Sequence, residues 1–469
     1  MTQDDLAQMS REELIDLVLA QFGQITKLQA DFEAMKLKLE KGKKPPTNSG
    51  NSSQPPSRDQ KADLTKKRKK HRHGPPVGHM KYERKFVAEP DHIVEVKPQV
   101  CEDCQTDLRE TGGVLADVNQ ITELPEAKAE VIEVRQYEVK CPCCGKKQTT
   151  EPLAGLEMER TFGARLEATV VYFRQEQHMS YVRTEAALRD LHAVTISQGG
   201  IDKITLAPAA SAGVQRAGHQ AGQQIEPIQS EIQQSKVIHS DETGSRVDGQ
   251  NWWQWVFCSA TAVLHVIRSN RSVDVIKDVM ADATAEVWVS DCYSAQVKAP
   301  ASERQLCLAH QVRNLQALVD LNPASFWPRA MQAMFRSAIH TYNQRDHLSP
   351  PEFQAQVQRI ERICDRLLKR SLEQREAKRL LKRYLKYRNC LFVFLHRTDV
   401  SPTNNVSERN LRPSVVHRKV IGCFRSGWGA RAYAAIASVI DTAELKGISP
   451  FTTIQSLFGT PSLPLPSGV

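Results

Sequence analysis

The sequence lacks the long apolar runs that membrane proteins contain. No run reaches the roughly 18 residues that a membrane-spanning helix needs. Its first 13 residues are polar and acidic, unlike a secretory signal peptide, which carries a basic start and an apolar centre. These absences predict a soluble, cytoplasmic protein that makes no contact with a membrane.

The sequence also lacks the even, regular set of cysteines that a disulfide framework requires. It has 11 cysteines, and six of them stand alone among apolar or helical neighbours. We interpret these six as reduced core residues of an intracellular protein: Cys258, Cys292, Cys307, Cys364, Cys390 and Cys423.

The other five cysteines occur in two short motifs, "CEDC" (Cys101, Cys104) and "CPCCG" (Cys141, Cys143, Cys144). Two Cys-x-x-Cys pairs supply the four thiolates of a tetrahedral zinc site. Strand-like sequence, "AEVIEVRQYEVK", separates the motifs and predicts a β-hairpin between them. We assign structural Zn²⁺ to Cys101, Cys104, Cys141 and Cys144, because the last pair keeps the x-x spacing. Cys143 is the alternative ligand, and a redox dithiol is the less favoured interpretation.

Acidic residues are scarce in several stretches, and the formal net charge is +9. Residues 66–73 contain six Lys or Arg, and residues 362–388 contain eleven against three acids. Blocks of this kind attract the phosphates of a nucleic acid, although a solvated tail or helix face would have the same composition. In the first block we expect five residues to bind DNA: Lys66, Lys67, Arg68, Lys69 and Lys70.

The N-terminal part of the chain predicts a coiled coil, a linker and a helical region. Apolar residues recur at alternating spacings of four and three from Leu14 to Leu39, with one polar break at Gln21, which is the heptad seam of a dimerising helix. A Pro-, Ser- and Asn-rich linker follows. From Arg165 to about Pro208 the pattern is helical, and two helices around a turn near His192 resemble a helix-turn-helix.

Three acidic residues stand out in the second half of the chain. Asp241 and Asp291 each follow a short apolar strand-like run, and ligands bind at the carboxyl ends of such strands. Glu408 is the only acid between Val400 and Ile440, a stretch with six Lys or Arg, and it lies on a helix that Asn404 or Asn405 can cap. Three carboxylates are what a site with two Mg²⁺ ions requires.

Several motifs resemble one known family. They are "HSDETG", "SDCYS", "CLAHQVRN" and the stretch from Asn404 to Phe451 that begins "NNVSERNLRP". Together they resemble the DDE-type transposases of bacterial insertion sequences, in particular insertion-sequence family sixty-six. Two positions depart from that pattern: Thr403 stands where relatives have an acid, and "SGWGA" stands where they have an aspartate-bearing turn.

The resemblance implies a multidomain α/β protein whose catalytic domain is a ribonuclease-H-like mixed sheet with an α-helical insertion. A coiled coil, a zinc-binding β-hairpin region and helix-turn-helix-like helices would precede that domain. The expected boundaries are 1–41 for the coiled coil, 42–80 for a basic linker, 81–155 for the zinc region, 156–232 for the DNA-binding helices, 233–445 for the catalytic domain with its insertion at about 322–397, and 446–469 for a C-terminal segment.

The resemblance also implies the chemistry and the partners. Asp241, Asp291 and Glu408 would hold two Mg²⁺ or Mn²⁺ ions for cleavage and transfer of DNA strands. Double-stranded DNA at the inverted ends of the element and at the target would be the substrate, in a homo-oligomer associated with the bacterial nucleoid and with small accessory proteins as further partners. We expect five residues near the site to contact DNA: His310, Arg313, Arg409, Arg412 and Arg418.

Two other functions fit the same residues. A structure-specific nuclease or resolvase would use the same carboxylates to cut branched DNA without joining strands. A DNA-binding regulator would keep the fold without its catalysis.

Overall fold

A computed structural model describes residues 84–150, 156, 160–206 and 217–458, together with Gln21, Gln24, Ile25, Leu28, Gln29 and Phe32. The chain divides into two compact units. The smaller comprises Lys61–Glu130 and Leu191–Ala193, and the larger comprises Met1–Gln60, Val131–Asp190 and Val194–Val469. Among the described residues, no helix combines the length and the apolar character needed to span a bilayer.

The predicted coiled coil falls mostly outside the described residues. The six described residues between positions 21 and 32 are helical, and Ile25, Leu28 and Phe32 of the seam are 53%, 68% and 68% exposed. Lys66, Lys67, Arg68, Lys69 and Lys70 also lie outside the described residues. The coiled coil and this basic block therefore stay predictions.

A short hairpin flanks the second cysteine motif. Strand β1 (Glu138–Lys140) pairs antiparallel with β2 (Lys147–Thr149), so the motif forms the turn between them. The strand predicted across residues 129–140 was too long, because only its last three residues pair. Val131 and Ile132 are 97% and 46% exposed, and an alternating pattern makes a strand only where a neighbour pairs with it.

Helices fill the segment that precedes the main sheet. They are α1 (Ala164–Val171), α2 (Tyr181–His192), α3 (Gln198–Leu206), α4 (Ala217–Gln223) and α5 (Ile225–Gln233). The two helices predicted around His192 are confirmed as α2 and α3. Ser197 caps α3, because its Oγ accepts a hydrogen bond from the Gly200 N–H at 3.1 Å. Their apolar faces are buried in the core, with Leu188 and Ile201 both 0% exposed.

A mixed five-stranded sheet forms the centre of the larger unit. Its strands are β3 (Val237–Val247), β4 (Gln250–Cys258), β5 (Val263–Arg268), β6 (Ala285–Ser290) and β7 (Ala301–Leu306), in the order β5-β4-β3-β6-β7. The pairs β3–β4 and β4–β5 are antiparallel, and the pairs β3–β6 and β6–β7 are parallel. Helix α6 (Val273–Met280) connects β5 to β6.

One predicted strand end was wrong. The run "KVIHSD" predicts a strand that stops at Asp241, whereas β3 continues to Val247. The antiparallel pairing with β4 extends from His239–Cys258 to Val247–Gln250, so Gly244 does not end the strand. The parallel pairing with β6 stops at His239–Val289. Asp241 therefore lies inside β3 but beyond its parallel neighbour.

The two faces of the sheet pack against different sets of helices. In β6, Trp288 packs in one hydrophobic core with α1 to α6. Val287 and Val289 pack in a second core, because successive strand residues point to opposite faces. That second core is formed with α7 (Leu308–Leu321), α8 (Phe326–Asn343), α9 (Pro350–Leu368), α10 (Arg375–Lys386) and α11 (Val393–His396), which confirms a helical insertion after β7.

Three C-terminal helices complete the larger unit: α12 (Asn405–Ile421), α13 (Gly427–Leu445) and α14 (Pro450–Ser456). Helix α13 is capped by Ser426, whose Oγ accepts a hydrogen bond from the Gly429 N–H at 3.2 Å. Gly447 follows its end with φ +76°, a conformation that favours glycine. The Ala-rich helix α13 therefore ends just before Gly447.

Candidate active site

The register of the sheet places two predicted site residues on neighbouring strands. In the parallel pair, residues of β6 match those of β3 with a constant offset, the last pair being His239–Val289. Two positions further on, the same offset sets Asp241 beside Asp291, which directly follows β6. Both aspartates therefore lie at the edge where the parallel ladder ends, and their strands are neighbours, as the sequence predicted. Ser290 also accepts a hydrogen bond from the Cys307 N–H at 2.8 Å, which attaches the start of α7 to this edge.

Asn404 connects the helix of Glu408 to the same edge. Its side-chain amide donates a hydrogen bond to the Ser240 carbonyl at 2.8 Å, and its backbone N–H donates to Cys307 Sγ at 3.2 Å. Asn404 is 0% exposed, so no water competes for these bonds. It precedes α12 as predicted, but its side chain does not cap the helix N–H groups. Instead the side-chain oxygen of Asn404, Oδ1, accepts a hydrogen bond from the Ser407 hydroxyl at 2.9 Å.

Glu408 lies one turn into α12 and faces α7. Its carboxylate is 3.6 Å from His310 Nδ1 and 3.7 Å from a terminal nitrogen of Arg313. Both Glu408 Oε1 and His310 Nδ1 are buried and have no hydrogen-bond partner. Buried polar atoms are rarely left unpaired, so these two atoms fit a site that receives a ligand.

One group of three potential metal ligands occurs among the described residues. The ligand atoms of Cys307, His310 and Glu408 all lie within 4.8 Å of one another. Cys307 is buried, and burial raises the pKa of its thiol to about 11, which favours the neutral form. Of these three, Glu408 is therefore the hard oxygen donor that Mg²⁺ prefers.

The acidic side chains at this edge repel one another. Burial raises the pKa of Asp241 well above its ordinary value, and the nearby charges of Glu242 and Asp291 raise it further, with a smaller contribution from Glu408. Burial lowers the pKa of His310, against the charge of Glu408. A concentration of carboxylates that disfavours its own ionisation fits the binding of a divalent cation.

Glu242 lies beside Asp241 in the sequence but has a different environment. Its side chain is 1% exposed and pairs with Arg271 at 2.6 Å, and it accepts a bond from the Gln296 amide at 2.6 Å. The Arg271 guanidinium lies over the rings of Trp253 and Tyr293, at 4.5 and 3.9 Å. Tyr293 is in turn bonded through its N–H to Asp291 at 2.8 Å. Glu242 thus supports the loop that carries Asp291.

The residues predicted to contact DNA lie at different places around this edge. His310 and Arg313 contact Glu408 directly. Arg409 and Arg412 are exposed on α12, and Arg412 makes no ion pair with Glu408, although it follows one turn later. Arg418 lies next to the backbone of β3, since a Cβ placed on Gly244 would be 3.8 Å from its guanidinium.

The first cysteine motif forms a tight turn in the smaller unit. The Cys101 N–H donates to the Thr106 carbonyl at 2.9 Å, and the Gln105 N–H donates back to the Cys101 carbonyl at 3.0 Å. Hydrogen bonds from the Thr106 side chain and then its backbone lower the pKa of the Cys104 thiol to about 7. A thiol with thiolate character at neutral pH fits a zinc ligand.

The second motif forms a turn of the same kind in the larger unit. The Cys141 N–H donates to the Lys146 carbonyl at 2.9 Å, and the Gly145 N–H donates back to the Cys141 carbonyl at 2.9 Å. Backbone N–H groups of Cys144 and Cys143 lower the pKa of the Cys141 thiol. Gly145 has φ +68°, which explains the glycine after this motif.

Some residues of the site were not identified from the sequence. The paired asparagines were interpreted as helix caps, and the anchoring bonds of Asn404 to Ser240 and Cys307 were missed. Arg271 was missed as well, since a single arginine after a strand has no periodic signal. The signals that did predict this site were the two aspartates after strand-like runs, Asp241 and Asp291, and the single acid of a basic helix, Glu408.

The fold and the site describe an α/β protein that gathers acidic side chains at the carboxyl ends of parallel strands. A family model for "Transposase IS66 family" matches residues 159–432, and one for "zinc-finger binding domain of transposase IS66" matches residues 98–145. A search of curated proteins found no match. The class is thus that of the transposases, enzymes that act on DNA. Because the first match covers more than half of its residues, the chain belongs to the IS66 family of transposases.

Proposed function

We propose that this transposase binds the terminal inverted repeats of its insertion sequence and catalyses metal-dependent strand cleavage and strand transfer. Asp241, Asp291 and Glu408 are the catalytic residues in this proposal, on a ribonuclease-H-like sheet. The observation that supports it is the parallel pairing of β3 with β6, which sets both aspartates at the same end of the ladder. The bonds of Asn404 to Ser240 and Cys307 attach the helix of Glu408 to the same end.

Carboxylates that raise one another's pKa and the unpaired Oε1 of Glu408 fit Mg²⁺ or Mn²⁺ at this edge. Two such ions, held by Asp241, Asp291 and Glu408, would supply the charge that activates the attacking hydroxyl and stabilises the leaving oxygen. His310 lies next to Oε1 of Glu408, and Arg313 lies 3.7 Å from the other carboxylate oxygen, Oε2. The remaining guanidinium donors of Arg313 can bind a phosphate. Arg409, Arg412 and Arg418 place further positive charge along α12 for the DNA backbone.

The match to the zinc-finger model supports a structural Zn²⁺. We assign it to Cys101, Cys104, Cys141 and Cys144, whose motifs form two turns of the same kind. Zinc bound by these four thiolates contributes folding energy to a segment with little apolar core of its own. We expect the N-terminal heptads to form a homo-oligomer. Such an oligomer would hold the two ends of the insertion sequence together.

Strand-transfer assays with DNA that carries the element ends test the catalytic residues. In Mg²⁺, Asp241→Asn, Asp291→Asn and Glu408→Gln should each lower strand joining by more than about 10³-fold, beyond the loss from removing one stabilising donor. Their DNA affinity should stay within a few fold of the wild type.

Glu226→Gln, a change at an exposed acid on α5, is the matched control and should keep full activity. Full joining by Glu408→Gln would disprove its assignment. Cleavage without joining by the wild type would favour a structure-specific nuclease or resolvase. DNA binding without either reaction would favour an inert regulator.

A further inference from the structure

A cleft of about 490 Å³ opens beside the edge strand of the sheet. It lies between α4, α5, β5 and the first turns of α13, away from the three carboxylates. Its volume is within the range of about 300–1,000 Å³ that is typical of small-molecule sites. Gly218 of α4 sets its inner wall, because a Cβ there would be only 2.7 Å from Ala432 Cβ of α13. The two helices can therefore approach closely, which shapes the concave wall of the cleft.

Two arginines bring positive charge into this cleft. Arg268 ends β5 and Arg431 lies in the first two turns of α13, and both line the cleft. Neither has a carboxylate within 4.0 Å in the described part of the chain, and the one side-chain hydrogen bond of Arg268 there is donated by Nη1 to the Ile267 carbonyl at 3.2 Å. Among the described residues that line the cleft, Asp278 is the only acid. The cleft therefore holds more positive than negative charge.

The electrostatics of Arg268 agree with this imbalance. Burial lowers the pKa of Arg268, the charge of Asp278 opposes this shift, and the charge of Arg431 adds to it. Two guanidinium groups that repel each other in a partly buried cleft are stabilised by an anion between them. Phosphate is the anion that matches the planar fork of arginine donors.

An aromatic side chain completes the lining. Trp428 lines the cleft and is partly exposed. An aromatic ring next to cationic groups is the arrangement that binds single-stranded nucleic acid, with bases stacked on the ring and the backbone on the cations. A duplex is too wide for a cleft of this volume, whereas one unpaired nucleotide is not.

In the sheet, the cleft lies near the proposed active site but on the opposite face. Asp241 is paired with Val256, and Val256 with His265, so Arg268 lies three residues further along and two strands away. At about 3.3 Å per residue and 4.8 Å per strand, the backbones of Asp241 and Arg268 are roughly 14 Å apart. Because successive strand residues point to opposite faces, the Arg268 side chain faces away from that of Asp241, so a DNA strand must pass around the edge strand β5 to reach both.

We propose that this cleft binds one unpaired nucleotide of the DNA substrate, with its base on Trp428 and its phosphate on Arg268 and Arg431. The inference rests on the proposed function, because it takes DNA as the substrate. It adds a contact for unpaired DNA on the face of the sheet opposite to the reacting bond. A transposase with such a site would favour DNA with an unpaired segment long enough to pass around the edge strand.

Fluorescence anisotropy with a short DNA duplex, either blunt or with a single-stranded 3′ extension of thymidines, tests this site. The wild-type chain should bind the extended DNA more tightly. Trp428→Ala should reduce that preference by about 5- to 150-fold, the range expected for loss of one stacked base, and Trp428→Phe should retain most of it. The double change Arg268→Gln and Arg431→Gln should lower the dependence of binding on salt by about one phosphate contact.

The double change Arg359→Gln and Arg366→Gln removes the same charge from α9 and is the matched control. It should weaken binding of both DNAs to the same extent. The inference is overturned when the wild type binds DNA but the Trp428 and arginine variants behave like this control. Circular dichroism identifies any variant that does not fold. In that case the binding of extended and blunt DNA by Trp428→Phe and by the single Arg431→Gln variant decides whether the inference holds. If the wild type binds neither DNA, both the inference and the proposed function fail.

Discussion

Two neighbouring acids of β3, Asp241 and Glu242, illustrate how local environment separates roles. Asp241 lies among carboxylates that raise its pKa, whereas Glu242 has an arginine and an amide for partners. Successive residues of a strand point to opposite faces, so this difference follows from their positions. Asp241 fits a ligand for a cation, and Glu242 fits a support for the loop around Asp291.

The Glu242 pair should contribute measurably to stability. Glu242→Ala leaves the Arg271 charge without its partner, and we expect the free energy of unfolding to fall by about 3 kcal/mol, at the lower end for breaking a buried ion pair, because Arg271 is 35% exposed. Urea denaturation of the full chain measures this loss.

Glu286→Ala is the control, since Glu286 is 46% exposed and pairs with Arg397 at the surface. Its loss should be at most about 1 kcal/mol. Equal losses in the two variants would contradict a special role for the Glu242 pair.

At the scale of elements, helix α13 protects an open edge of the sheet. Strand β5 is an outer strand, and unpaired edge groups promote association with other chains. The hydroxyls of Ser438 and Thr442 accept hydrogen bonds from the N–H groups of His265 and Val263, at 2.8 and 3.0 Å. Asp441 adds a contact of 2.7 Å to the His265 ring. The small residues of α13 allow its backbone to approach the strand closely.

Removal of these hydroxyls should expose the edge. Ser438→Ala and Thr442→Val each leave a buried N–H without a partner, so each should cost about 1–3 kcal/mol. Thermal unfolding and light scattering would measure the loss of stability and the gain in association. Ser456→Ala, at the end of α14, serves as the control for loss of a hydroxyl. Unchanged stability in both α13 variants would show that the edge is protected in another way.

The element scale also shows what patterns in the sequence can predict. Apolar alternation and turn residues are local signals, and they indicate β4, β5 and α6 approximately. The end of β3 and the strand at residues 129–137 were predicted wrongly. Pairing with a neighbouring strand decides both cases: β4 extends β3, and no strand in the described structure pairs with residues 129–137.

For the whole molecule, two kinds of metal site are proposed, and they would have different purposes. The zinc motifs lie in a region with exposed apolar residues, such as Val114 and Val131, both 97% exposed. The carboxylates lie on a sheet with large buried cores on both faces. Zinc would therefore be needed for folding, whereas the sheet would fold without its Mg²⁺.

Removal of zinc should affect one region selectively. After treatment with a strong chelator, the backbone amides of Cys101 and Cys141 should lose protection in hydrogen exchange, while amides of β3 and β6 keep theirs. Cys104→Ser and Cys144→Ser should lower the zinc content measured by atomic absorption to near zero.

Cys143→Ser is the matched control and should retain the zinc. If this variant lost zinc while Cys144→Ser retained it, Cys143 and not Cys144 would be the fourth zinc ligand. A wild-type protein purified without zinc would disprove the site.

By itself, the sequence determined the local features: the helices and most strands, the two cysteine turns, the free cysteines, and the family resemblance that the comparison confirmed. These features depend on spacing and on caps between residues close in the chain. Only the tertiary structure decided that Asn404 bonds to Ser240, that Arg271 pairs with Glu242, and that Arg268 and Arg431 share a cleft with Trp428. Such contacts join residues that are distant in sequence, and they form only when the sheet and its helices pack together.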